Sequence, residues 1–366
     1  MDPVRTPLVI IVVLVAALLA LDALLGGGGG GGAAAVRTAP VAAIAHRVEA
    51  VRHLRFRTVP RALAVTPAQA RRDGLAEFDR SYPARRRAAD EEVLTLLGLA
   101  PHGLSLRAVY GSLFGEGVAG YYDSRTKRLR TVTGSATNTR VTAETVLAHE
   151  LTHALEDQRY GNLDAADGGH TGDDDAALAR LALAEGTATE VMDRYMRRYF
   201  SPSEILGGSL GAAFGGSGTG GMPPFLAIQT VFPYVGGQRF VADLLRRAGD
   251  RWDIVDTAER LRPPASTEQV MHPWRYLHAD MPLPVRIGVR LGAAWSRAAS
   301  GTWGELQTRE LLATSGGGGQ DAAAAGWGGD RWELWRSRPL GECRAPCRDA
   351  DVLVMRWRWP RGPRPR

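Results

Sequence analysis

The segment HELTHALEDQ at residues 149–158 constrains this chain more than any other feature of its 366 residues. His149 and His153 are four residues apart, so on an α-helix their imidazoles lie one turn apart on the same face. Leu147, Leu151 and Leu155 repeat the same spacing as a buried apolar stripe, and Gly161 follows as a helix stop. Two imidazoles so placed grip one metal ion, and zinc is the ion this arrangement suits. Glu150 follows the first histidine and is rotated by about 100° around the helix. That sets its carboxylate beside the metal, within reach of a water there, as a general base rather than a ligand.

Zinc in a site that performs chemistry takes three protein ligands and keeps one position open, so a second element must supply one more donor. Residues 174–199 read as a helix in which Leu178, Leu181, Glu185, Ala188, Met192 and Tyr195 recur at alternating steps of three and four. Glu185 therefore falls in the buried seam, where a carboxylate is costly unless something positive meets it. Glu190 falls with Thr187 and Arg194 on a face that reads as solvated. His170, among Gly168, Gly169 and Gly172, is the rival third ligand, but it has no helix to position it. The expected metal set is His149, His153 and Glu185, holding one zinc ion per chain.

Around this pair the expected fold is α+β, mostly α, with a small antiparallel sheet beside the two helices. Thr66, Pro67 and Gln69 mark a helix start. Residues 118–122 and 128–132 flank Asp123, Ser124, Arg125 and Thr126 as a β-hairpin. Further helices are expected at 40–56, 85–97, 238–248, 254–261, 266–271 and 302–313, and two strands at 331–336 and 352–359. The expected organisation is an N-terminal helical region at 41–117 and a catalytic region at 118–366 with a glycine-rich insertion at 207–221.

The N-terminus fixes the expected compartment. Residues 7–21 carry no charge, and with the following residues to Leu25 the apolar stretch approaches the ~20 residues that span a bilayer. Residues 1–25 read as a signal peptide or a membrane anchor, and the glycine- and alanine-rich stretch 26–40 as a linker. Either way the rest of the chain lies outside the cytoplasm, anchored to the membrane or secreted. Cys343 and Cys347 are too few for a disulfide scaffold and leave one local bridge or two thiols. The net charge of +6 is carried by arginines dispersed among acids, with Lys127 the sole lysine. Nucleic acid is therefore not an expected partner. The five arginines and two tryptophans of 356–366 read as an edge strand with a solvated tail.

The segment 149–158, together with Ala184-Glu185-Gly186-Thr187-Ala188, resembles the gluzincin metallopeptidases, the thermolysin-like group. Closer still is a poorly characterised bacterial family of exported or membrane-anchored zinc peptidases, a resemblance that takes in 118–123, 266–273 and 326–330. It implies a zinc-dependent endopeptidase with a peptide or protein substrate, and Glu150 as the catalytic base. His272 is the first candidate to stabilise the oxyanion, ahead of Tyr276, Tyr121 and Tyr122. The strand at 120–123 would pair with extended substrate. The chain departs from thermolysin in having no NExxSD-type sequence after Glu185. From spacing alone, Asp157 either orients His153 or is an exposed acid. The alternative from another class is a non-catalytic cell-envelope protein that keeps zinc as a structural element.

Overall fold

The computed structural model describes residues 39–116, 118–133, 139–161, 173–206, 222–314, 316, 318–337 and 351–359. Residues 1–25 and nearly all of the linker, His170, the insertion 207–221 and both cysteines lie outside these residues. Among the described residues no helix is long and apolar enough to cross a membrane.

The chain begins with α1 (Val41–Arg52), β1 (Ala62–Val65), α2 (Pro67–Ser81), α3 (Ala84–Leu96) and α4 (Leu106–Glu116). The hairpin β2 (Gly120–Asp123) and β3 (Arg128–Val132) follows, then the long helices α5 (Arg140–Tyr160), α6 (Asp174–Tyr199) and α7 (Pro224–Arg247). Four shorter elements come next: α8 (Asp253–Arg260), α9 (Thr267–Met271), α10 (Pro273–Leu277) and β4 (Trp295–Gly301). The last are α11 (Gly304–Ala313), α12 (Gln320–Ala324), β5 (Gly329–Ser337) and β6 (Asp351–Arg358). The protein is α+β and mostly helical, as its pattern implies.

Local chemistry explains the main boundaries. Thr139 caps α5 by accepting from the Thr142 N–H, and Gly161 ends it at φ 91°, a conformation that glycine adopts without strain. Asp173 caps α6 by accepting from Ala176 N–H. Asp174 and Asp175 in the first turn of α6, and Arg197 and Arg198 in the last, complement the helix dipole. Asp123 closes the hairpin turn by accepting from the N–H groups of Arg125 (3.1 Å) and Thr126 (3.0 Å).

Helices α4, α10 and α12 have no counterpart in the expectation, and three further differences concern α7, β1 and β4. The helix expected from 238 begins at Pro224 and runs through Pro233. Phe232, Pro233 and Tyr234 are all buried in it, so tertiary packing outweighs the N–H that proline lacks. Strand β1 pairs parallel to β3, in the register Ala62↔Leu129 to Val65↔Val132, so the first sheet is mixed, in the order β1-β3-β2. Strand β4 adds a third member to the C-terminal pair, giving the antiparallel order β4-β5-β6 with β6 at an edge.

Helices α5, α6 and α7 lie at the centre of the larger core, which includes Leu147, Leu151, Leu155, Val191, Phe240 and Leu244. The closest approach is glycine on glycine. A Cβ on Gly186 would strike the Gly237 backbone, and one on Gly237 would strike the Ala182 carbonyl. Only two glycines let α6 and α7 touch at that height, one residue beyond Glu185 and three beyond Tyr234. A second core, with Phe78, Phe114, Phe225, Trp303 and Trp332, joins α2, α4 and α7 to the C-terminal sheet.

Candidate metal centre

The cluster forms where α5 faces α6. The Nε2 atoms of His149 and His153 are 3.0 Å apart, and Glu185 Oε2 lies 3.1 Å from the first and 3.3 Å from the second. All three side chains are buried. The triangle has no room for two protons. If each Nε2 donates to Glu185, two N–H groups face one another at 3.0 Å. With zinc–nitrogen bonds of about 2.0–2.1 Å, tetrahedral ligands sit roughly 3.3 Å apart. The three separations match the edges of such a site, so the donors fit a single small cation.

The charges agree with this geometry. Burial drives the His149 ring down to about 4, which leaves it neutral with a lone pair to offer. Burial pushes Glu185 upward, but His153 and His149 outweigh it and hold the carboxyl at about 2. His153 also resists burial and rises to about 9 through Glu185. Two imidazoles in contact cannot both be charged, so the protein places one proton between them and the carboxylate. A metal ion held there would replace that proton.

Glu150 is fully buried beside the triad and its Oε2 accepts from the Tyr122 N–H of β2 at 2.7 Å. Its Oε1 has no hydrogen-bond partner. Burial lifts this carboxyl to about 8, partly countered by His153 and the Tyr122 N–H. Gly120 lets β2 approach α5 this closely, since a Cβ there would lie 3.1 Å from the Arg130 carbonyl oxygen and 3.4 Å from Val146.

Other expected residues fall elsewhere. His272 caps α9 through its N–H, and its ring meets Glu305 of α11 at 2.8 Å. Among the described residues no recorded contact joins it to the triad. The Tyr276 hydroxyl donates to the Arg262 carbonyl, and that of Tyr121 to Asp73. Asp157 is neither exposed nor bonded to His153. It is buried, accepting from the Tyr122 hydroxyl (2.7 Å) and the Lys127 ammonium (2.7 Å), and so ties α5 to the hairpin. Glu190, expected in solvent, is buried at 6% exposure. Helix α6 is covered on more than one side, and Glu190 is sustained there by Arg194 (2.8 Å), with Gln238 of α7 at 3.5 Å.

One residue at the site escaped the sequence reading. Tyr234 of α7 packs its ring 6.2 Å from that of His149, and with Glu185 it bounds a cavity of about 240 Å³. The available signal was the Pro233-Tyr234 step between two apolar runs, which reads as a helix break unless the packing is known. Comparison of the chain with protein-family models, with curated proteins and with solved structures finds no match.

Proposed function

We propose that this protein is a zinc-dependent endopeptidase of gluzincin type that works outside the cytoplasm. The observation that carries the reading is the closed triangle of His149, His153 and Glu185 donors, with the unpartnered oxygen of Glu150 beside it. His149, His153 and Glu185 would hold the ion. Bound zinc supplies acidification of a water and polarisation of a carbonyl. Glu150 would serve as the general base, taking a proton from the attacking water and returning it to the leaving amine. Its Oε2 is pinned by the Tyr122 N–H, which leaves Oε1 to carry the proton. Tyr234, whose ring packs against that of His149 at the cavity, would be the nearest hydroxyl-bearing residue of α7 to a developing oxyanion. The compartment rests on the apolar residues 7–21.

A second reading is supported by the burial of the cluster, with His149, Glu150, His153 and Glu185 at 0–3% exposure. Such enclosure also suits a non-catalytic cell-envelope protein with structural zinc. Structural zinc is normally closed by four protein ligands, and this cluster offers three beside a cavity, which favours catalysis. The deciding experiment incubates the zinc-loaded protein and its Glu150→Gln variant with a diverse peptide library. Cleavage by the first alone supports the peptidase. Stoichiometric zinc with no cleavage by either supports the structural reading.

A further inference from the structure

Glu150 owes its orientation to a strand at the rim of a sheet. Strand β2 is the outer member of the order β1-β3-β2, so within that sheet only β3 holds it. The Tyr122 N–H of β2 is spent on Glu150 Oε2 at 2.7 Å, and Oε1 is left without a partner. Where β2 stands relative to α5 therefore decides which oxygen of Glu150 is pinned.

A second contact sets that separation. Asp157 lies seven residues beyond Glu150, on the same face of α5 and just under two turns along it, roughly 10 Å further on. Its carboxylate accepts from the Tyr122 hydroxyl at 2.7 Å and from the Lys127 ammonium at 2.8 and 2.7 Å. Tyr122 thus meets α5 twice, by its backbone at Glu150 and by its phenol at Asp157.

Lys127 is an unusual residue for its place. It is the sole lysine of the chain, and it sits just before β3 with φ at 55°, a region that a β-carbon disfavours and glycine enters freely. Its side chain is 55% exposed, whereas that of Asp157 is 1% exposed. An amine that reaches inward to a buried acid supplies the counter-charge that such an acid requires. Among the described residues, no recorded hydrogen bond or ion pair joins Lys127 or Asp157 to His149, His153 or Glu185.

We propose that Lys127 is a positioning residue for Glu150, acting through Asp157 and Tyr122. The ammonium fixes the Asp157 carboxylate, Asp157 fixes the phenol, and the phenol holds β2 where its N–H meets Glu150. Only the consequence for turnover rests on the peptidase reading; the clamp itself stands apart from it.

The test compares the zinc-loaded full chain with its Lys127→Met, Lys127→Arg and Tyr122→Phe variants. Hydrogen exchange read by mass spectrometry reports the clamp without any turnover. In Lys127→Met and Tyr122→Phe, amide exchange across β2 should rise about tenfold while α5 keeps its wild-type rates. Zinc content should not change. In turnover, kcat should fall about tenfold with KM within about twofold, because the base is misplaced and substrate binding is not. Lys127→Arg keeps the charge and should recover most of both effects. Unchanged exchange across β2 overturns the proposal, and so does an unchanged kcat once exchange has risen. Faster exchange spread along α5 with zinc released marks a purely structural tie and overturns it too. Should Lys127→Met not fold, chemical modification of the native protein decides, since Lys127 is the only side-chain amine. Acetylation removes its charge and reductive methylation keeps it, so only the first should loosen β2. A clamp that loosens as expected in a protein that cleaves no peptide would sustain the positioning of Glu150 and defeat the peptidase reading instead.

Discussion

Helix α5 carries two buried polar clusters less than a turn apart, and they are neutralised in opposite ways. At Glu156 the chain supplies its own cation. Arg52 of α1, fully buried, reaches Glu156 at 2.8 Å and Asp256 of α8 at 2.7 Å, with Glu259 at 3.7 Å, and stacks on the Trp252 ring at 4.4 Å. At His149 and His153 three donors converge with no arginine or lysine among them. Glu259 also differs from Glu185. Burial, reinforced by Glu156, keeps Glu259 well above the carboxylate range, whereas the histidines hold Glu185 below it. A buried carboxylate cluster with a resident guanidinium is a structural tie. One whose donors point at each other is a place for a metal ion.

The sharpest way to break this contrast is to remove the resident cation. Arg52→Met should cost about 3–5 kcal/mol of stability, because Glu156, Asp256 and Glu259 lose the guanidinium they share, and the cost should be the same with or without chelator. Denaturant unfolding with and without EDTA measures both. Metal removal is the next largest effect. At free zinc a hundredfold above Kd, chelation should cost the wild type about 2.7 kcal/mol. It should cost Arg52→Met the same amount and Glu185→Ala nothing. A chelator effect that persists in Glu185→Ala would place the metal elsewhere. The smallest effect is expected at Glu190, a buried carboxylate that already has an arginine. Glu190→Ala should lose less than about 1 kcal/mol, since Arg194 keeps Asp250 at 2.6 Å, and zinc content should not change. A fall in bound zinc in that variant would show that the two glutamates of α6 are not as distinct as the contacts make them.

The metal cluster was legible because its spacing is helical. Steps of four within α5 and alternating steps of three and four along α6 placed His149, His153 and Glu185 on facing seams before any contact was known. Glu190 was misread because a seam argument assumes one covered face, while α6 is packed by α5 on one side and α7 on another. Tyr234 was missed for a related reason. Its helix crosses Pro233 and depends on Gly186 and Gly237 being in contact, a long-range fact that no local pattern contains. The parallel partnership of β1 with β3 also joins segments more than sixty residues apart, and the four-residue strand carries no alternation of its own. The Arg52 network was invisible as well, since Arg52, Glu156 and Glu259 lie on three separate helices and no local pattern links them.

The central claim separates metal holding from proton transfer, and one paired measurement tests it. Zinc stoichiometry by elemental analysis and peptide turnover are recorded together for the wild type, His149→Ala, His153→Ala, Glu185→Ala and Glu150→Gln. The account predicts one zinc per chain in the wild type and in Glu150→Gln, with turnover lost only in the latter of the two. The three ligand variants should lose most of the zinc and all of the turnover. Unchanged zinc in His149→Ala and His153→Ala, or normal turnover in Glu150→Gln, would contradict it.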